Sequence, residues 1–329
     1  MMKRLMTWMA LALMPILGAS LAQSQTGHPV RVALVKMPYV GERNVPDTSR
    51  GPEYLEQGGI QKLLEERGVQ TKQVSNVALT AEEEKAYGSW NHLALASGDL
   101  AKIVSEERRS GYLPVGLLAN CNGILGMLSG LQHSGPSAKP LRVGMVFIDA
   151  HGDFNTPETT LSGMLGGMPV SIAAGQCLTR MRLKAGLEPS LPTRHIVEMC
   201  VRDTDPLEQE LLDRSDIQQL TLEDVRTRSA NLYREMKRLS EATDVIYIHV
   251  DMDALDPREV AGHPLTVPGG PTSVELAAAL TEMFKYEKVA AFGVASTPFE
   301  DHDKAGLTRQ AAYNLILGAV KGVQQRKNE

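Results

Sequence analysis

The chain has 329 residues, 43% of them hydrophobic and 22% charged, with 29 Gly and 18 Pro, which excludes collagen-like, low-complexity and intrinsically disordered classes. Its 34 Lys and Arg against 39 Asp and Glu give a formal charge of -5. That balance lacks the basic footprint needed to neutralise phosphates, so nucleic acid is not expected as a partner.

Met1 to Ala22 carries Lys3 and Arg4, then an apolar run from Leu5 to Leu17, then small residues at Ser20 and Ala22. This is the pattern of a secretory signal peptide, and its apolar run is shorter than the roughly 20 residues that span a bilayer. Export to the periplasm or the exterior is therefore expected, with no membrane attachment after cleavage. No Cys follows the run, so no lipid anchor is expected there. Residues 23–329 contain no linker or repeat and read as one domain. The three cysteines, Cys121, Cys177 and Cys200, are too few for a disulfide framework. Their spacing leaves open whether Cys177 and Cys200 pair or stay free.

Along this domain, apolar Val- and Ile-rich runs alternate with helical patterns. Val30–Lys36 reads as a strand, Gly51–Arg67 and His92–Arg109 as helices, and Leu113–Ala119, Val143–Ala150 and His195–Val201 as strands. Leu222–Ser240 reads as a helix, Val245–Asp251 as a strand, Ser273–Tyr286 as a helix, Val289–Ala295 as a strand and Leu307–Gln325 as a helix. Runs that are apolar throughout suit parallel strands buried on both faces. The alternation predicts an α/β fold: a single three-layer domain with a mostly parallel central sheet flanked by helices. Ligands of such sheets gather at the carboxyl ends of the strands.

Two strand ends carry hard donors. Asp149-Ala150-His151-Gly152-Asp153 ends one, and Asp251-Met252-Asp253 ends another, with Asp256-Pro257 just behind. If the extended backbone continues briefly, side chains at i, i+2 and i+4 project to one side, so Asp149, His151 and Asp153 converge, as do Asp251 and Asp253. Four carboxylates sharing a site repel one another unless paired, and a pair of divalent cations removes that conflict. Oxygen donors with one imidazole fit Mn(II) or another divalent first-row ion. His249 shares the alternation of Asp251 and reads as a core or supporting histidine rather than a ligand.

These segments, Asp149 to Asn155 and Asp251 to Pro257, resemble the arginase, agmatinase and formiminoglutamase family, the ureohydrolases. Arg50-Gly51-Pro52 early and Thr308-Arg309 late agree in order. The resemblance implies a binuclear manganese site bridged by Asp149 and Asp251, with His151 and Asp253 completing one ion and Asp153 the other. A hydroxide held between the ions would attack an amidine carbon, with Asp153 hydrogen-bonded to it and His151 also in the catalytic set. It further implies a small-molecule substrate and a homo-oligomer, since trimers and hexamers are frequent in the family.

Three positions depart from the family pattern. Cys121 stands where a metal-binding His is usual; a thiolate can ligate there, which makes Zn(II), Co(II) or Fe(II) possible alongside Mn(II). Gly166 stands where arginases carry a proton-shuttling His. Ala295 stands where their guanidinium-pairing Glu falls, with Glu300, Asp301 and His302 nearby on another stretch of loop. Against this, Asn155, Thr160 and Ser162 match contacts to the α-carboxylate and α-amino group, and Asp205 matches a carboxylate near the α-ammonium. The expected activity is metal-dependent hydrolysis of C–N bonds in amidine-type groups, guanidino or formimino, of an arginine-like α-amino acid. The alternative is a non-catalytic amino-acid-binding protein of the periplasm with the same fold.

Overall fold

The structure, a computed structural model, describes residues 29–41, 48–299 and 301–326. The expected leader, residues 1–22, lies outside the described residues. Nine strands are described: β1 Arg31–Met37, β2 Gln70–Thr71, β3 Ser75–Asn76, β4 Leu113–Leu118, β5 Val143–Ile148, β6 Ile196–Met199, β7 Gln218–Leu220, β8 Val245–Asp251 and β9 Val289–Ala295. They form one sheet in the order β2-β1-β4-β9-β8-β5-β6-β7, with β3 beside β1. Every pairing is parallel.

The continuous apolar runs have a direct structural cause. Successive side chains of a strand point to opposite faces, and here each face has its own core. Val146 and Ile148 of β5, with Ile246, Ile248 and Val250 of β8, pack with Leu276, Leu280, Leu315 and Ile316 from the helices Ser273–Met283 and Leu307–Gln324. Met145 and Phe147, with Tyr247, pack with Leu93, Leu100, Ile124 and Leu128 from the helices Ser89–Arg109 and Ile124–Gln132. The helices within each outer layer approach closely. A Cβ on Gly126 would lie 2.6 Å from the carbonyl oxygen of Ser97, and one on Gly318 would lie 2.6 Å from that of Ala277.

The six long strands fall where the apolar runs predict. The polar strands β2, β3 and β7, two or three residues each, carry no such signal. Two expected helices are broken in two. Gly51–Arg67 becomes Gly51–Gln57 and Ile60–Glu65, because Gly59 takes a left-handed φ of 95°. Leu222–Ser240 becomes Leu222–Thr227 and Ala230–Ala242, because Arg228 has a φ of 51° and Asp224 gathers the junction. Its carboxylate accepts from Thr221 Oγ1 at 2.7 Å, Ser229 Oγ at 2.5 Å and Asn231 Nδ2 at 2.9 Å. Cys121, Cys177 and Cys200 are all free thiols. Among the described residues, no helix is long and apolar enough to cross a membrane.

Candidate metal centre

The carboxyl ends of β4, β9, β8 and β5 lie side by side in the middle of the sheet, and the registers align their ends to within one residue: Leu118 with Ala295, Asp251 with Ala295, and Ile148 with Val250. Each strand delivers its chemistry just past that line. After β4, the Asn120 side chain accepts from Asn122 N at 3.0 Å and starts a short 3-10 turn that fixes Cys121. After β5, Asp149 Oδ1 accepts from His151 N at 2.8 Å and faces His151 Nδ1 at 3.2 Å. From β8, Asp251 Oδ1 accepts from Asp253 N at 2.9 Å. Asp251 Oδ2 accepts from the Cys121 thiol at 2.7 Å and from Ser296 Oγ, just past β9, at 2.6 Å. The two aspartate segments are joined directly, with Asp253 Oδ1 accepting from Ala150 N at 3.2 Å and Asp253 Oδ2 lying 3.2 Å from His151 Nδ1.

Three groups of donors result: Cys121, Asp149 and Asp251; Asp149, His151 and Asp253; and Asp251, Asp253 and His263. Within each, the ligand atoms lie within 4.8 Å of one another. The triads interlock, since Asp149, Asp251 and Asp253 each belong to two of them. Asp153 is buried in the same cavity but belongs to none of these triads. Its φ of 49° shows why. The extended alternation carries Asp149 and His151 but ends there, and a left-handed turn places Asp153 instead.

The electrostatics match a cation site. Burial, then the negative charge of Asp149, pushes Asp251 up to about 7. The same two causes push Asp153 and Asp253 well above the ordinary carboxylate range. Burial also works against ionisation of Asp149, but the hydrogen bond and charge of His151 hold it below the usual range. Burial disfavours a charge on His151, yet its two aspartate partners drive it up to about 12. Burial, then the charges of Asp251 and Asp149, pushes the Cys121 thiol well up. Of the two imidazoles in these triads only His151 is driven toward the charged form, so four buried carboxylates leave the cluster short of positive charge, and mostly oxygen donors with nitrogen and sulfur at the edges fit divalent first-row cations.

A cavity of about 310 Å³ opens over this cluster. Of the residues expected at the substrate's amino-acid end, Asn155, Ser162 and Asp205 line it, and Thr160 does not. Thr160 Oγ1 instead accepts from Gly163 N at 3.1 Å and sits 3.3 Å from Ser162 Oγ, where it shapes the loop that carries Ser162. Asp205 Oδ2 accepts from Asn155 Nδ2 at 3.1 Å and Leu161 N at 3.2 Å, tying that loop to the helix Pro206–Asp213. Glu208, pushed up by burial, accepts from Phe154 N at 2.8 Å and Asp205 N at 3.1 Å. Gly166 lines the cavity, whereas Ala295 is packed in the core and Ser296, at a φ of 60°, turns into the cavity instead. Asp301 pairs with Arg50 at 3.4 Å and His302 stacks edge-on against Phe299, so neither lines the cavity; Glu300 lies outside the described residues.

Sequence reasoning missed His263 and Ser296. His263 is buried, with Nε2 3.6 Å from Asp251 Oδ1 and Nδ1 accepting from Leu265 N at 3.2 Å; burial lowers it to about 4. Arg202 holds the loop bearing it, donating to the carbonyl oxygens of Val267 at 2.8 Å and Pro268 and Asp253 at 3.2 Å.

Residues 30–320 match the arginase family. The chain belongs to that family. It is 27% identical to the arginase of Brevibacillus brevis over 227 residues, 67% of this chain and 74% of the relative. Among solved structures, it is similar to Entamoeba histolytica arginase in complex with L-ornithine, with a TM-score of 0.75 and 23% identity, covering 90% of this chain and 99% of that one. It is also similar to formimidoylglutamase of Bacillus subtilis, with a TM-score of 0.71 and 18% identity, covering 92% and 90%. This family membership and the parallel sheet agree with the fold read from sequence.

Proposed function

We propose that this arginase-family chain is a metal-dependent hydrolase that cleaves a C–N bond in an amidine-type group, guanidino or formimino, of an arginine-like α-amino acid. The observation that carries the reading is the interlocking of three buried donor triads at the carboxyl ends of adjacent strands. The members of those triads, Cys121, Asp149, His151, Asp251, Asp253 and His263, would hold the divalent ions. The oxygen-rich set favours Mn(II), and Cys121 brings Zn(II), Co(II) or Fe(II) within range. When bound, such a pair supplies Lewis acidity toward the amidine and a water whose pKa falls to about 7.

The chain's own residues supply the rest. Asp153, in the cavity but outside the triads, is free to hold a proton on the attacking water and pass it on. His151 bridges Asp149 and Asp253 and fixes their orientation. Asp205 offers a negative charge to an α-ammonium, while Asn155 and Ser162 offer amide and hydroxyl donors to an α-carboxylate. Among the described residues, no Lys or Arg lines the cavity. Among the described residues, the wall near β9 presents no acid: Ala295 is in the core, and the Ser296 hydroxyl is already donated to Asp251. A buried guanidinium without its partner costs several kcal/mol, which favours a formimino or substituted guanidino group over a free one.

The test is a panel of guanidino and formimino amino acids incubated with the metal-loaded protein and assayed for urea, ammonia or amine. Metal-dependent release that Asp149→Ala and Asp251→Ala abolish supports the reading; full turnover in either variant overturns it. We also propose that the protein is exported after loss of residues 1–22 and assembles as a trimer or hexamer. N-terminal sequencing of secreted material and sedimentation would check these points.

A further inference from the structure

Behind the donor cluster, Tyr247 and His249, which the mechanism above does not use, extend from Cys121 and Asp251 as a buried chain of polar groups. Tyr247, His249 and Asp251 alternate along β8 and so share one face of the sheet. The Tyr247 hydroxyl lies 2.8 Å from His249 Nδ1, and His249 Nε2 lies 3.2 Å from Cys121 Sγ. The thiol in turn reaches Asp251 Oδ2 at 2.7 Å. All four residues are buried.

The protons in this chain can be ordered by elimination. A carboxylate oxygen accepts, so the single thiol hydrogen of Cys121 goes to Asp251. The sulfur must then accept from His249 Nε2–H. A neutral imidazole carries one donor and one acceptor, so Nδ1 accepts from the Tyr247 hydroxyl. Every group is satisfied in this arrangement, and the imidazole proton is aimed at the sulfur.

The imidazole also sits in a slot shaped for it. Phe147 stacks on its ring with centroids 5.1 Å apart and planes 5° apart. On the β9 side stands Gly293, where a Cβ would lie 2.1 Å from the Tyr247 hydroxyl and 3.2 Å from His249 Nδ1. Any other residue at 293 would displace the chain.

We infer that Tyr247 and His249 are positioning residues for Cys121, holding its sulfur as a donor to the metal centre and biasing that centre toward softer divalent ions. This rests on the reading of Cys121 as a ligand. Ligating cysteine gives up its proton, and the His249 Nε2–H, already oriented, is then a hydrogen-bond donor to the sulfur. Outer partners of this kind typically change metal affinity by about 10- to 100-fold. Sulfur donors favour Zn(II) over Mn(II).

The experiment loads the full chain with Co(II) and records the sulfur-to-metal charge-transfer absorption, then measures competition between Zn(II) and Mn(II) by metal analysis. Wild-type protein should show the band, and Cys121→Ser should lose it and narrow the margin by which Zn(II) outcompetes Mn(II). His249→Phe, which keeps the ring stack and removes the N–H, should shift the band and weaken Zn(II) binding by about 10- to 100-fold while changing Mn(II) binding less. His249→Gln, which can restore a donor, should recover much of that loss, and Tyr247→Phe should move both readouts in the direction of His249→Phe. Should His249→Phe fail to fold, Tyr247→Phe and His249→Gln carry the same comparison. A band that survives Cys121→Ser overturns the ligand reading itself. A band that depends on Cys121 but is unchanged, with unchanged metal preference, in the His249 and Tyr247 variants overturns only the positioning role.

Discussion

Replacing Asp251 with Asn sets two effects of opposite sign against each other. In the metal-free protein, burial and the charge of Asp149 hold this carboxyl at about 7 instead of the ordinary value near 4. Each tenfold change in proton affinity is about 1.4 kcal/mol, so ionising Asp251 costs the metal-free fold roughly 4 kcal/mol at neutral pH. Asparagine removes that cost. It loses in exchange the acceptor for Cys121 and Ser296, worth about 1–3 kcal/mol when donors are left facing an amide. The metal-free variant should therefore be more stable than metal-free wild type by about 2 kcal/mol at pH 7. The pH dependence has a definite sign. A carboxyl with a raised folded-state value contributes its stability fully below the unfolded value, near 4, and loses it as pH rises through about 7. At pH 4 wild type no longer carries that cost and only the lost acceptor remains, so the variant should there be less stable than wild type by about 2 kcal/mol. Metal retention moves the other way, falling by more than the roughly 10- to 100-fold that loss of an outer partner causes. Urea unfolding in chelator at both pH values, with metal analysis of the same preparations, measures all of this. Equal destabilisation at pH 4 and pH 7, or wild-type metal retention, would refute the reasoning.

Asp205→Asn should raise KM for an α-amino acid substrate several-fold with little change in kcat, read by steady-state kinetics, because Asp205 lines the cavity but belongs to none of the donor triads. Arg202→Met removes donors to three loop carbonyls near Asp253 and His263. It should cost about 2 kcal/mol of stability and weaken metal binding in titration calorimetry. Asp224→Ala strips the acceptor from the junction of two helices and should cost about 2 kcal/mol in urea unfolding, with metal content unchanged.

Much of this architecture is legible in the sequence because parallel strands covered on both faces must be apolar at every position. Hence β4, β5, β8 and β9 stand out as unbroken runs. The donors follow those runs immediately, so Asp149, His151, Asp251 and Asp253 could be placed without coordinates. The remainder depends on groups far apart in sequence or on loops without periodicity. Asp153 reaches the cavity by a left-handed turn that alternation does not forecast. Ser296 replaces Ala295 at the wall because the backbone flips at one residue after β9. His263 comes from an irregular loop that Arg202 pins in place. His249 could be put on the face of Asp251 by counting, but its partner Cys121 is 128 residues away. The helix breaks at Gly59 and Arg228 turn on single backbone conformations that leave the apolar periodicity on either side intact.

Central to the account is that two divalent cations are held together by carboxylates from separate strand ends. Metal analysis of the purified chain after exhaustive dialysis, with Asp149→Ala alongside, measures this directly. Close to two tightly held first-row ions per chain in the wild type, and a marked loss in the variant, is the expected result. A wild-type protein that retains no such ion, or a variant that retains the same number, would contradict it.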